Sequence, residues 1–226
     1  MYLSKVSFYI RNRKSFHVLQ SPYHLHAALL KAFPLYKKTN ESSGILFRRE
    51  RKFDKGFWIT VLIQSLMKPD WELLKNDMGN AFQYDQPKEI SNLQFRDGQQ
   101  LRFRLRANPI KTIRDENGRK NKKGEIKRCR VPLLKETHQI AWLKKKEKEI
   151  RPGISGGFQI NSCRVIDEGD WKHRRKDGSD PIRIHTVLFE GVLTVREATF
   201  FLEEVVKKGI GPAKSFGCGL LSLARV

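Results

Sequence analysis

Residues 98–107 read GQQLRFRLRA, and with them the chain begins its folding pattern a second time. Leu101, Phe103, Leu105 and Ala107 fall on one face and Arg102, Arg104 and Arg106 on the other, the period of a half-buried strand. The first ten residues open the same way, with Val6, Phe8 and Ile10 alternating against polar neighbours. After that first strand, Ser21-Pro22 supplies a cap residue followed by proline at the first helical position. Leu25, Ala28, Leu29, Ala32 and Phe33 then recur at helical spacing up to Pro34. Residues 44–49 and 56–64 predict a hairpin, Trp71 to Leu74 a short helix, and the stretch beyond Phe82 an extended piece.

The second series follows the same order. After the Leu101 strand, Lys111 to Arg130 has little hydrophobic periodicity and many Lys, Arg, Gly and Asn residues, so a mobile basic loop is expected there. A helix over Lys135 to Glu149 precedes two strands, Phe158 to Ile166 and Ile182 to Leu193. Thr194 and Glu197 have capping-box spacing ahead of Ala198, Phe201, Leu202, Val205 and Val206, and Gly209 ends that helix. A strand from Leu220 closes the series. Two β-α-β-β-α-β runs define an α+β chain of two tandem ferredoxin-like (βαββαβ, RRM-like) domains, expected at 1–92 and 98–226.

Charge narrows the function. Forty-five Lys and Arg against 24 Asp and Glu leave +21. Residues 1–90 hold 15 basic and 8 acidic side chains (+7), and the rest hold 30 and 16 (+14), so both halves contribute. An excess of this size suits a polyanionic partner, nucleic acid before membrane, because a membrane binder concentrates its charge on one amphipathic helix. The longest apolar runs are too short to span a bilayer. Neither a signal-peptide pattern at Met1–Tyr9 nor a cysteine framework is apparent, since Cys129, Cys163 and Cys218 are far apart and without CxxC spacing. The expectation is a cytoplasmic protein with buried thiols and no zinc site. Neither unit carries the aromatic RNP1 pattern, so base stacking on a sheet face is not the expected binding mode.

Two short segments could carry chemistry. In SPYHLH, residues 21–26, Tyr23 lies nearly opposite the buried face and His26, its i+3 neighbour, on one flank, while His24 falls on the other flank, so the histidines do not converge on a metal. In GIGPAKSFGCG, residues 209–219, the order is not that of a P-loop, and the segment leads from a helix to a strand. Its close glycines, Gly209, Gly211, Gly217 and Gly219 with Lys214, would let backbone amides approach an RNA phosphate.

Several of these segments together resemble the CasE family of CRISPR-associated endoribonucleases, within the wider RAMP superfamily. They are MYLSKV at 1–6, Tyr23-x-x-His26, LRFRLRANP at 101–109, VLFEG at 187–191 and the GIGPAKSFGCGLLSLA ending. The resemblance spans nearly the whole chain. It implies cleavage of CRISPR precursor RNA within each repeat hairpin, without a metal or small-molecule cofactor, and retention of the mature crRNA beside other Cascade subunits. No membrane partner is implied.

By residue, the resemblance assigns Tyr23 and His26 to the catalytic helix and places Lys172, Arg174, Arg175 and Lys176 on a basic hairpin against the RNA stem. Lys176 is a candidate active-site cation, with Lys31 as the alternative. Arg102, Arg104 and Arg106 form a further RNA-binding candidate face. Metal-free cleavage uses the substrate's 2′-hydroxyl as nucleophile, with one group removing its proton and another protonating the departing 5′-oxygen. His26 and Tyr23 can fill these roles in either order. A non-catalytic RNA-binding subunit is the alternative reading; DNA binding is disfavoured by the lack of a helix-turn-helix, zinc-finger or basic-zipper pattern.

Overall fold

A computed structural model describes residues 1–34, 44–54, 56–115, 118, 120, 123–126, 128–173 and 182–226, with backbone alone at 51–54, 172, 173 and 182. In the first half the elements are β1 (Tyr2–Tyr9), α1 (Arg13–Leu19), α2 (Pro22–Leu29), β2 (Leu46–Asp54), β3 (Trp58–Ser65), α3 (Trp71–Met78), β4 (Phe82–Tyr84) and β5 (Lys88–Glu89). The strands form one antiparallel sheet in the order β2-β3-β1-β4, with β5 also on β1. The second half contributes β6 (Gln100–Ala107), β7 (Ile110–Arg114), β8 (Arg128–Pro132), α4 (Glu136–Lys148), β9 (Phe158–His173), β10 (Ile182–Val195), α5 (Ala198–Phe200) and β11 (Leu221–Arg225). Here the order is β11-β6-β10-β9, again antiparallel. Both sheets have the ferredoxin-like order, each helical crossover leaving an antiparallel strand between the two it connects.

Apolar alternation sets the inner faces. Val6 and Phe8 of β1 and Val61 and Ile63 of β3 pack with Leu25, Leu29, Trp71 and Phe82 in one core, where the Trp71 indole donates to Ser4 Oγ at 3.0 Å. Leu101, Phe103 and Leu105 of β6 join Phe189, Leu193, Phe201 and Val205 in the other. The halves are tied by buried polar groups. The Gln64 amide donates to the Val206 carbonyl at 2.7 Å, and Arg48 donates to the Arg104 carbonyl at 3.3 Å.

The structure departs from the sequence reading in three places. Helix α1, absent from the periodicity analysis, is capped by Asn12, whose Oδ1 accepts from the amides of Lys14 and Ser15. Within 111–130, β7 and β8 pair from Ile110↔Pro132 to Arg114↔Arg128, so the ends of the expected loop are a ribbon. Its β-branched Ile110, Thr112, Ile113 and Val131 suit extended backbone although the strands are too short to show a period. The Thr194–Glu197 capping box does not form. Thr194 lies inside β10 and bonds Asn161, while the first amide of α5, that of Ala198, donates to Asp97 Oδ1 at 2.8 Å. That helix continues as a π-helical turn over Phe201–Val206, which buries Phe201, Val205 and Val206. Among the described residues no helix is long and apolar enough to cross a membrane.

Candidate active site and nucleic-acid interface

Helix α2 begins as its sequence dictates, with Ser21 Oγ accepting from the Tyr23 amide at 3.2 Å and Pro22 in the first turn. Leu25, Ala28 and Leu29 face the core, which leaves Tyr23 half-exposed and His26 partly buried. The His26 imidazole lies nearly parallel to the Phe47 ring, 5.9 Å between centroids and 11° between planes. Its Nδ1 is shielded from water and has no hydrogen-bond partner among the described residues. Burial lowers the His26 pKa below the ordinary 6.5, so the ring is neutral at pH 7 and ready to accept a proton. His24 instead stacks on His17 of α1, 4.5 Å between centroids.

The glycine-rich segment reaches the same place from the other half of the chain. Its short 3-10 turn, Lys214–Phe216, contacts both α2 and β2. Gly217, at φ +79°, sits so close to Phe47 that a Cβ there would lie 3.0 Å from Phe47 Cε2. Phe47 is thus flanked by the His26 ring and, along its Cδ2–Cε2 edge, by Gly217. Gly219, at φ +93°, donates its amide to the Arg106 carbonyl at 2.8 Å, and its own carbonyl accepts from Ile210 at 3.0 Å. The amides of Gly217 and Cys218 bond inside the segment, to the Lys214 and Ala213 carbonyls, and that of Gly209 bonds back to the Val205 carbonyl of the preceding helical turn. The expected phosphate nest at Gly217 and Gly219 is therefore corrected: the Gly217 N–H closes the turn and the Gly219 N–H ties the segment to β6, so both are already engaged. Gly211 abuts the Trp142 ring, and Lys214 donates to the Lys208 carbonyl at 2.5 Å. Burial, then the nearby Arg151 and Lys208 charges, lowers the Lys214 pKa.

The arginine row of β6 divides. Arg102 and Arg104 are exposed and border a cleft of about 800 Å³ whose lining also includes Arg48, Arg164 and Glu190. Arg104 bonds Glu190 and reaches Glu50, while Arg102 donates to the Arg225 carbonyl. Arg106 is 8% exposed and ion-paired to the buried Glu168 at 2.5 Å, so its expected place on a phosphate-binding face is a correction. The reason is local: β11 begins only at Leu221, opposite Leu105, and before it Gly217 passes over the next position, its Cβ site 3.5 Å from Arg106 Nη1. Lys31 is held by Asp77 of α3, whose carboxyl the Lys31 hydrogen bond keeps below its ordinary pKa. It lies beyond the end of α2, in the 3-10 turn Leu30–Ala32. Lys172 pairs through its backbone with Arg183, and its side chain together with Arg174, Arg175 and Lys176 lies outside the described residues. Among the described residues no three His, Cys, Asp or Glu side chains converge to hold a metal.

Phe47, Arg48 and Arg164 escaped the sequence reading. Arg164 shares the alternation of β9 with residues that were read only as strand formers, and Phe47 looked like any core residue of a hairpin.

Two ferredoxin-like sheets joined by a cation-lined cleft, with Tyr-x-x-His on one side of the junction and a glycine-rich turn on the other, define a tandem ferredoxin-like protein. The chain belongs to the CRISPR-associated protein family, whose model matches residues 1–225. It is 39% identical over 202 residues to the CRISPR system Cascade subunit CasE of Escherichia coli K12, covering 89% of this chain and 91% of that one. Against the CRISPR-associated endoribonuclease Cse3 of Thermus thermophilus it is 30% identical over 239 residues, 99% of this chain and 100% of the relative. The solved structure of Thermus thermophilus Cse3 bound to an RNA representing a pre-cleavage complex superposes with a TM-score of 0.75 at 30% identity, covering 99% and 98% of the two chains.

Proposed function

We propose that this chain is an endoribonuclease that cuts CRISPR precursor RNA within repeat hairpins by 2′-hydroxyl attack and keeps the mature crRNA as a subunit of a Cascade-type complex. The observation that carries the reading is a neutral, half-buried His26 on the Tyr-x-x-His helix, backed by Phe47 and facing the junction of the two sheets. Relatives named as a Cascade subunit and as a CRISPR-associated endoribonuclease support it over nearly the full length. We assign the catalytic helix to the unit 1–92 and the glycine-rich turn and basic hairpin to the unit 98–226.

In the reaction, a base takes the proton of the 2′-hydroxyl as that oxygen bonds to phosphorus, and the bond to the 5′-oxygen breaks as an acid protonates it. The products are a 2′,3′-cyclic phosphate and a 5′-hydroxyl. The nucleophile belongs to the substrate, so the step needs no metal-activated water. A lowered pKa favours His26 as the base and leaves Tyr23 to orient or donate. Lys176 supplies the cation for the phosphorane. Lys31, engaged with Asp77, is the weaker candidate. Arg102 and Arg104 in the cleft, with Lys172, Arg174 and Arg175, hold phosphates.

We further place the protein in the cytoplasm, where separated thiols stay reduced. Burial raises Cys163 to about 11 and Cys218 to about 12, which keeps them as unreactive thiols. The deciding experiment uses repeat RNA with a 2′-deoxy sugar 5′ of the cut, in EDTA. Full cleavage of the ribose substrate and none of the deoxy one is expected; equal cleavage of both would overturn the mechanism.

A further inference from the structure

The β7–β8 ribbon and the glycine-rich turn enclose a second cavity, of about 410 Å³, that the proposed reaction does not use. Asn108, 93% buried because only 7% of it is exposed, forms its floor, and its Oδ1 is shielded with no hydrogen-bond partner among the described residues. Phe216 and Pro212 of the turn and Pro132 of the ribbon supply apolar walls. Arg130 and Arg183 stand at the exposed rim, with no ion pair among the described residues.

Each part fits one kind of occupant. A buried carbonyl oxygen without a donor is unfavourable until a ligand N–H reaches it, and an amide not pinned through that oxygen can turn about χ2 to present either end. A half-buried phenylalanine offers a stacking face, and two exposed guanidiniums at the mouth suit a phosphate. The volume lies in the range that holds a small planar ligand. Water alone would satisfy the amide but would leave the aromatic wall and the rim cations without a role. The pocket is also close to the chemistry. Phe216 directly precedes Gly217, which touches Phe47, the ring on which His26 stacks.

We infer that this cavity is a nucleobase pocket for one unpaired nucleotide next to the repeat stem, with the base stacked on Phe216, a base-edge N–H on Asn108 Oδ1 and the nucleotide's phosphate between Arg130 and Arg183. It rests on the endoribonuclease reading above and gives that site a specificity-determining subsite. Holding one splayed base beside the helix would fix which phosphate comes to His26, so that the stem supplies affinity and the pocket supplies register.

The test is a cycle of protein and RNA changes. A repeat hairpin with single-stranded flanks is made with each unpaired nucleotide replaced in turn by an abasic one, and dissociation constants are measured for the parent, Asn108→Leu and Phe216→Ala, all as full chains. The parent should lose about tenfold at one abasic position, the scale of a single stacked base. At that position the same RNA change should weaken either variant by less than about twofold, because the lost contact is already missing. Thermal melts identify a variant that fails to fold, and the other then completes the cycle. If every abasic penalty is the same in parent and variants, the pocket does not hold a base, and the inference falls while the nuclease reading stands. A parent that binds no repeat hairpin would remove both.

Discussion

Substituting Arg106 tests whether its guanidinium holds the fold or an RNA phosphate. Its side chain and that of Glu168 are 10% and 6% exposed, and their nitrogen and oxygen are 2.5 Å apart. Arg106→Met keeps the volume but removes the guanidinium paired with Glu168, while the Arg48 charge still acts on that carboxylate, so the cost below is an upper range. Breaking one side of a buried pair costs about 3–5 kcal/mol, because the remaining charge must be desolvated or protonated. For a chain of this size each kcal/mol moves the melting temperature by roughly 2–4 °C, so a fall of roughly 6–20 °C is expected. Arg102→Met, on the exposed neighbour of the same strand, should change stability by no more than about 0.5 kcal/mol. The double change Arg106→Met, Glu168→Leu should recover much of the loss, since an apolar pair of similar size replaces a buried ion pair at little cost. The assay is thermal unfolding of all four proteins, followed by RNA affinity at a temperature where each is folded. An Arg106→Met protein that melts with the parent yet binds RNA more weakly would refute the structural role and return Arg106 to the phosphate-binding face.

His26→Ala should slow single-turnover cleavage by about 10²-fold to 10⁴-fold with affinity nearly unchanged, whereas His24→Ala, stacked on His17, should do little; equal small effects in rate assays would count against α2 as the catalytic helix. With His26 as the base, its proton-free form is the active one, so kcat/KM should rise with pH through an apparent pKa below the ordinary 6.5 and then level off; a limb centred above that value in a pH–rate profile would contradict the burial of the ring. Gly217→Val places a branched Cβ 3.0 Å from Phe47 at φ +79°, and should lower the melting temperature and the cleavage rate together; a stable variant with parental rate would show that the turn can open away from His26.

Most of the architecture was legible because both sheets are half-buried and therefore alternate. Leu101, Phe103 and Leu105 are 4%, 4% and 0% exposed, as the strand pattern required. Short elements left no such mark. Helix α1 spans Arg13–Leu19, two turns held by an asparagine cap, and the β7–β8 ribbon pairs five residues with five, lengths at which periodicity cannot be distinguished from chance. The site was legible in the same uneven way. Tyr23 and His26 stand on a helix start that can be read from Ser21-Pro22, but the exposure of a strand residue depends on what crosses it. Arg106 has the same alternation phase as Arg102 and Arg104, and only the return of the chain through Gly217 buries it.

That return also explains why the glycines matter without touching phosphate. An ordinary helix-to-strand turn would leave Phe47 as the edge of one core and His26 on an open surface. Here Ala213, Gly217 and Gly219 all adopt left-handed backbone, which folds residues 213–219 back onto β2 and α2. The left-handed conformation is unfavourable for Ala213, which has a Cβ, so it must be imposed by the bonds around it, including those from Phe216 and Cys218 to its carbonyl. The folded turn presses on Phe47, and Phe47 backs the imidazole, removing one side of it from water and lowering its pKa. The surroundings of His26 thus draw on both units, with Phe47 shielding the imidazole from the first and Gly217 packed against Phe47 from the second.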